Sequence, residues 1–97
     1  MAYKVVDKSG TEIISDIVLH PGEILEDELN ARGIKKQLFA QELGLSPSHL
    51  SDLLHEKRHI NALLAIKLEQ LLDIPAEYWM RVQAYYDLDC TRRTMAA

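Results

Sequence analysis

Apolar residues recur at helical spacing along most of the chain, and glycine, proline or capping residues divide the pattern into five segments. The pattern predicts five helices, at about residues 21–33, 36–43, 46–56, 62–72 and 75–89. The fourth segment is apolar nearly all round, including Leu63 and Ile66, so we expect it to be the buried centre of the domain. Residues 1–19 differ, because short β-branched runs around a turn signal indicate a strand or hairpin arm. An all-α domain over residues 20–97, preceded by this arm, is therefore predicted.

The second and third segments have the spacing of a helix-turn-helix over about residues 36–55. Two helices that cross steeply through a short turn need a small residue at their contact, here Ala40, and a glycine able to take positive φ, here Gly44. They also need apolar anchors that face a common core, and the chain provides Phe39, Leu43, Leu45, Leu50 and Leu53. An ordinary helical hairpin does not require all of these together, so the pattern favours a DNA-binding motif.

The predicted outer face of the third helix carries short hydrogen-bonding side chains, which are able to reach base edges and phosphates. With the neighbouring cations, the candidate DNA-contact residues are Lys36, Gln37, Ser46, Ser48, His49, Ser51, His55, Lys57 and Arg58. Asp52 conflicts with this assignment, because a carboxylate near DNA must either accept from a cytosine amino group or be held away by a neighbouring cation.

Charge is unevenly distributed along the chain. The formal net charge is −4, which by itself argues weakly against a nucleic-acid partner. Residues 20–31 carry four acids and no basic residue, whereas residues 32–59 carry five basic against three acidic residues and three histidines. The region of the predicted helix-turn-helix is therefore locally basic, which agrees with DNA binding.

One motif points to a different chemistry. The run His55-Glu56-Lys57-Arg58-His59 matches H-E-x-x-H, the zinc-peptidase pattern in which two histidines one helical turn apart bind the metal. It falls where the third helix should end, before a cap at Asn61, so the two imidazoles should not share a helix face. Cys90 is the single cysteine and has no neighbouring base. We therefore expect no metal site, no cofactor and no enzymatic activity, and we expect His20 to cap or pack at the first helix.

Composition restricts the class of protein. With 47% hydrophobic and 27% charged residues in 97, the chain fits one domain. No apolar run approaches the roughly eighteen residues of a membrane span, and the start lacks the apolar stretch of a secretory signal. One cysteine agrees with a reducing compartment. The sequence predicts a cytoplasmic protein without a membrane partner.

The fifth segment has aromatic residues on two faces. One stripe at helical spacing comprises Trp79, Val82 and Tyr86, and a second comprises Tyr78 and Tyr85. The second face fits either a helix end wrapped by core or a contact between subunits. Because one short recognition helix reads too few base pairs to select an operator, we expect a two-fold dimer that reads an inverted repeat. The candidate dimer contact is Tyr78, Tyr85 and Leu88.

Four segments together resemble the HigA (VapI-like) antitoxins of the Xre or lambda-repressor-like class. They are the opening His20-Pro21-Gly22-Glu23-Ile24-Leu25, the helix-turn-helix, the junction Glu56-Lys57-Arg58-His59-Ile60-Asn61, and the Trp-containing residues 75–88. The resemblance covers about residues 20–89. It implies a five-helix lambda-repressor-like domain, a homodimer, repression of its own operon, and neutralisation of a HigB-type ribosome-dependent mRNA interferase. A departure occurs at Lys35, where family members usually have a Ser or Thr cap.

The charge distribution suggests where such a toxin would bind. HigB-type toxins act on mRNA and are expected to be basic, and the first helix presents Glu26, Asp27 and Glu28. These acids fit a solvated helix face equally well, and the arm over residues 1–19 is a rival surface because it could pair with a strand edge of the partner. A transcription regulator of the same fold without a toxin partner stays the alternative function.

Overall fold

Residues 18–96 are described by the computed structural model, and five α-helices account for most of them. In chain order the helices are α1 (Pro21–Arg32), α2 (Lys36–Leu43), α3 (Pro47–Leu54), α4 (Ala62–Leu72) and α5 (Ala76–Ala96). Residues 18–96 contain no strand, so the prediction of an all-α fold is confirmed. The predicted strand or hairpin arm falls almost entirely on residues 1–17, which lie outside the described residues, as does residue 97. None of the helices described is both long and apolar enough to cross a membrane.

A capping box starts α1. The Nδ1 atom of His20 accepts a hydrogen bond from the backbone N–H of Gly22 at 2.8 Å. In return, the carboxylate of Glu23 accepts from the backbone of His20. This reciprocal pair satisfies donors that the first helical turn leaves open, with histidine in the place usually taken by Ser or Thr. The expectation that His20 caps the first helix is confirmed.

The other helix ends also follow local signals. Gly33 and Gly44 end α1 and α2 in the left-handed conformation, with φ of 68° and 77°. The hydroxyl of Ser46 caps α3 and the side-chain amide of Asn61 caps α4. Lys35 precedes α2 without a side-chain capping bond, as the departure from the family pattern implies.

One hydrophobic core joins all five helices. α1 packs on α3 and α5, α2 packs on α3 and α4, and α4 packs on α5. The largest buried side chains are Trp79 and Phe39, and leucines from the first four helices surround them. The Trp79 side of α5 therefore faces the core, while Tyr78 and Tyr85 on the other stripe are exposed.

The expectation that α4 is buried on all sides is wrong. Ala65, Leu68 and Leu72 are buried, but Leu63 and Ile66 are 64% and 48% exposed. Leu38 in α2, at 56%, is exposed in the same way. A domain of this size has too little mass to cover both faces of a peripheral helix, so apolar residues on the outer face stay in contact with solvent.

The predicted end of the fifth helix near Asp89 is also wrong, because α5 continues to Ala96. Residues 90–96 contain neither glycine nor proline, so nothing in them stops a helix. Pairs one turn apart support the extension: the Nε atom of Arg93 lies 2.9 Å from a carboxylate oxygen of Asp89. The hydroxyl of Thr94 donates to the carbonyl oxygen of Cys90 at 3.0 Å. The last turns of α5 extend past its buried residues, Trp79 and Gln83.

Candidate nucleic-acid interface

The helix-turn-helix is built as its residue pattern predicts. Ala40 is buried in α2, and four of the five predicted anchors are buried while Leu45 packs against the same core. The turn is also held by a hydrogen bond that was not predicted from the sequence, because the Nζ atom of Lys67 in α4 donates to the carbonyl oxygen of Leu43 at 3.0 Å. This bond satisfies a carbonyl at the end of α2, next to Gly44. The angle between the two helices is thereby supported from α4.

The start of α1 lies directly against the end of α3. A methyl group placed on Gly22 would overlap the backbone oxygen of Leu53, so only glycine fits this position. The close approach leaves one side of α3 buried, through Leu50, Leu53 and Leu54, and turns the other side outward. The orientation of the candidate recognition helix is thus set by α1 as well as by α2.

All nine candidate DNA-contact residues lie on the exposed surface. Four of them come together around a hollow between the start of α2 and the outer side of α3: Lys36, Gln37, Ser51 and His55. Apolar side chains of α3 form the rest of its lining. Lys57 and Arg58 follow at the end of α3. A surface of short polar groups flanked by cations is the composition that base and phosphate contacts require, and each individual contact stays a prediction.

Three of these side chains already make local hydrogen bonds, which include a 3.3 Å contact between the Oγ atom of Ser51 and the Nδ1 atom of His55. The Oγ atom of Ser46 accepts from the backbone N–H of His49 at 3.1 Å, as the cap of α3. The Nδ1 atom of His55 donates to the carbonyl oxygen of Ser51 at 2.7 Å. Because its Nδ1 carries a hydrogen, the neutral ring of His55 presents Nε2 as an acceptor.

Acidic neighbours partly neutralise the cations of this surface. The Nζ atom of Lys36 lies 2.7 Å from an oxygen of Glu26, which lowers the pKa of that carboxyl through a hydrogen bond and the opposite charge. Asp52 lies 3.7 Å from the Nε atom of Arg58. Of the two explanations considered for Asp52, this geometry matches a carboxylate held by a neighbouring cation.

The residues of the zinc-peptidase pattern are separated by the end of α3. His55 is the C-cap, and Glu56 has a left-handed φ of 65°, so His59 lies outside the helix. The ring of His55 bonds back to Ser51, whereas His59 accepts from the side chain of Gln83. Within residues 18–96, no three His, Cys, Asp or Glu side chains are grouped as a metal site would need. The helical two-histidine geometry of the peptidases is therefore not formed.

A buried amide from α5 holds the segment after α3. Gln83 is only 4% exposed, and its Oε1 atom accepts from the backbone N–H of Ile60 at 2.7 Å. Its Nε2 atom donates to His59 and to Asp87, at 2.8 and 3.0 Å. Gln83 was not among the residues predicted from the sequence, although a polar residue one turn after Trp79 on the core stripe was the available signal.

Further titratable groups lie beside this segment. Burial lowers the pKa of His20, and the nearby His59 adds to that effect. The carboxyl groups of Glu23 and Glu56 share a hydrogen bond, which raises the pKa of Glu23. Hydrogen bonding to Cys90 and burial raise the pKa of Tyr86 to about 12. The end of α3 is thus surrounded by titratable groups from α1 and α5.

The residues proposed for protein partners are also on the surface. Tyr78, Tyr85 and Leu88 are exposed on one side of α5, with Tyr85 at 59%. Tyr85 also lines an apolar groove with Val18, Leu19, Ile24 and Val82. On α1, Asp27 is exposed, while Glu26 and Glu28 are partly covered by ion pairs with Lys36 and Arg32.

Comparisons with known proteins agree with this architecture. The helix-turn-helix family matches residues 25–79. Virulence-associated protein I of Dichelobacter nodosus is 37% identical over 71 residues, which cover 72% of this chain and 66% of that protein, just under two thirds of its length.

Solved structures extend the similarity to the whole arrangement of helices. The Pseudomonas aeruginosa antitoxin HigA, solved with the higBA promoter, is 35% identical with a TM-score of 0.75, and the match covers 80% of this chain and 86% of that one. An addiction module antidote protein of a HigA family from Coxiella burnetii is 26% identical with a TM-score of 0.75, covering 81% and 87%. The chain therefore belongs to the helix-turn-helix family, in its Xre-like class of DNA-binding antitoxins and regulators, which is not a class of enzymes.

Proposed function

We propose that the protein is the antitoxin of a type II toxin–antitoxin module, which binds operator DNA as a dimer, represses its own operon and neutralises a HigB-type mRNA interferase. The observation that carries DNA binding is the two-sided character of α3. Its leucines are buried, while its serines and histidines face solvent between Lys36 on one side and Lys57 and Arg58 on the other. This is the arrangement by which a recognition helix enters a major groove.

DNA titrations with paired variants test the interface. Replacing both Lys57 and Arg58 by alanine should weaken binding to every sequence and reduce the salt dependence, because cations on phosphates carry no sequence information. Ser48→Ala should relax the preference at one base pair, by about 1 to 3 kcal/mol, if this hydroxyl reads a base. Arg92→Ala removes an exposed cation from α5 and serves as the control. Unchanged operator affinity in the Lys57 and Arg58 double variant would contradict the assignment.

The proposal of a dimer is supported by the short length of the candidate recognition helix, α3, and by the exposed apolar surface of α5. α3 has eight residues, so it is about 12 Å long and spans only a few base pairs. Two copies related by a two-fold axis would read an inverted repeat with enough contacts to select an operator. Exposed Tyr78, Tyr85 and Leu88 supply an apolar face, and the groove beside Tyr85 gives a second copy a place to insert side chains.

Light scattering tests this interface directly. Tyr85→Asp places a charge in the proposed contact and should shift the protein from dimer to monomer at tens of micromolar, while the circular dichroism spectrum stays helical. Leu63→Asp changes another exposed apolar residue, on α4, and should leave the dimer intact. A monomeric wild-type protein at that concentration, or a dimer lost equally in both variants, contradicts the proposed face.

The toxin contact is proposed for the acidic surface of α1, with Glu26, Asp27 and Glu28. Opposite charges would accelerate encounter with a basic toxin, although Glu26 and Glu28 must first exchange their ion pairs with Lys36 and Arg32. The arm over residues 1–19 is the competing surface. Co-expression with the adjacent small open reading frame separates the two surfaces. If α1 binds the toxin, charge reversal at the three acids should abolish copurification without weakening operator binding. If the arm binds the toxin, deletion of residues 1–19 should do so instead.

Two outcomes of that experiment decide the function. If both altered proteins still protect cells from the neighbouring toxin, each proposed surface is wrong. If the unaltered protein fails to protect cells, the antitoxin assignment gives way to the alternative of a helix-turn-helix transcription regulator without a toxin partner.

A further inference from the structure

We propose that His20 and Gln83 are positioning residues for DNA binding, which hold the backbone between α3 and α4 so that Lys57 and Arg58 are presented to phosphates in one fixed geometry. The inference deepens the proposed function, on which it rests, by assigning roles to two buried side chains outside the candidate DNA-contact residues. It starts from the shape of the segment at residues 55–61, which belongs to no helix.

The segment leaves α3 through a conformation that few side chains adopt. Glu56 has a φ of 65°, which turns the chain sharply after the helix. The backbone N–H of Lys57 still donates to the carbonyl oxygen of Asp52 at 2.8 Å, so the front of the segment is attached to α3. From Arg58 to Ile60 the backbone has no helix or strand to hold it, and its polar groups must find other partners.

Gln83 supplies the partner at the far end. Its oxygen accepts the buried N–H of Ile60, and its amide nitrogen donates to both His59 and Asp87. A carboxylate at this position could accept but could not donate, and an apolar side chain would leave the N–H of Ile60 without a partner. An amide is therefore required at this position, because it must accept from one backbone N–H and donate to two side chains at the same time.

His20 supplies the partner in the middle. Its Nδ1 atom accepts from Gly22, so the hydrogen of the neutral ring is on Nε2, and interaction with the backbone of Arg58 opposes the lowering of its pKa by burial. The ring is 1% exposed and meets the ring of Tyr86 edge-on, with centroids 4.7 Å apart. One histidine thus caps α1, packs on α5 and lies beside the backbone of a residue proposed to bind phosphate.

The consequence concerns the cost of binding. Binding must order the long, flexible side chains of Lys57 and Arg58. Because their backbone is already ordered before DNA arrives, binding removes less conformational entropy. Releasing the segment would leave both charges in place. Affinity should then fall for every DNA sequence without a change in the salt dependence, which distinguishes a lost support from a lost cation.

Two variants remove the supports without changing the candidate surface. Gln83→Met removes the amide at similar length, and His20→Asn keeps an oxygen able to cap α1 but is too short to reach Arg58. Gly33→Ala is the control, because it strains the left-handed end of α1 with nothing within 4 Å of the added methyl group. Binding is measured with the duplex that the wild-type chain selects from a random library and with an unselected duplex, at several salt concentrations and at a temperature where all variants are folded.

Each support variant should bind both duplexes on the order of tenfold more weakly, with the wild-type salt slope, and Gly33→Ala should bind like wild type. Amide hydrogen exchange gives a second measurement: in Gln83→Met the Ile60 amide should exchange faster, while the Leu64 amide, held by Asn61, keeps its protection. Wild-type affinity in both support variants would overturn the positioning role. If the wild-type chain binds no duplex, the proposed function itself fails. If the support variants bind like wild type while the Lys57 and Arg58 double variant binds more weakly, the proposed function stands and only the positioning role fails.

Discussion

The ammonium group of Lys36 lies 2.7 Å from a carboxylate oxygen of Glu26, so a cation proposed for DNA is paired with an acid proposed for the toxin. The two residues are ten positions apart and belong to different helices. Their pairing connects the acidic surface of α1 to the proposed DNA-binding surface of α2. A partner that engages Glu26 would release Lys36, and DNA that engages Lys36 would expose Glu26.

Replacing Glu26 by glutamine should therefore strengthen DNA binding. Without the competing carboxylate, Lys36 is available to a phosphate, and the dependence of affinity on salt should steepen by about one ionic contact. Titrations of wild type and variant at several salt concentrations measure both effects. Asp27→Asn removes an acid from the same helix outside this ion pair and should change affinity less. Equal changes in the two variants would indicate that only the net charge matters.

Asp52→Asn separates the two explanations for the acid on α3. Since Asp52 lies 3.7 Å from Arg58, we expect the substitution to release that cation and to raise affinity for selected and unselected duplexes in parallel. A carboxylate that reads cytosine would behave differently, because its loss would relax the preference at one base pair while leaving unselected DNA unaffected. Binding-site selection with both proteins, followed by titration, distinguishes these results.

Gly22→Ala should lower the free energy of unfolding by about 1 to 3 kcal/mol, because the new methyl group meets the backbone oxygen of Leu53 and one helix must move. Urea denaturation measures the change. Gly33→Ala offers a comparison in which only the left-handed φ is strained. NMR shifts at the end of α3 should change for Gly22→Ala alone, and similar shifts in both variants would argue against a close contact between α1 and α3.

Protein stability should decrease as the pH falls below the ordinary histidine value of 6.5, partly because of His20. Burial and the facing His59 lower the pKa of His20, while Arg58, Glu23 and Asp87 oppose the shift. The folded state thus holds fewer protons than the unfolded state, so this stabilisation is complete above the unfolded pKa and is lost as the pH falls toward the folded one. Denaturation of wild type and His20→Asn between about pH 7.5 and about pH 5 should show a smaller decrease in the variant. Parallel decreases would exclude a contribution from His20.

Local signals in the sequence were sufficient for most of the architecture. Glycine, proline and capping side chains act within a few residues, so the starts of the helices and the ends of α1 and α2 were predicted from neighbouring positions. The anchors of the helix-turn-helix repeat at helical spacing, which also predicted the burial of Leu50 and Leu53 and the exposure of Ser48 and Ser51. The candidate DNA face was therefore already present in the pattern.

Packing decided what the pattern left open. Leu63 and Ile66 are exposed because α5 covers only one side of α4, and α5 passes Asp89 because no residue there stops it. The bond from Gln83 to Ile60 spans 23 positions, and that from Lys67 to Leu43 spans 24. Such pairs depend on the angles at which whole helices pack, and short-range spacing carries no information about those angles. The sequence by itself determined the helices and the candidate DNA face, whereas the tertiary structure alone decided which buried side chains hold that face in place.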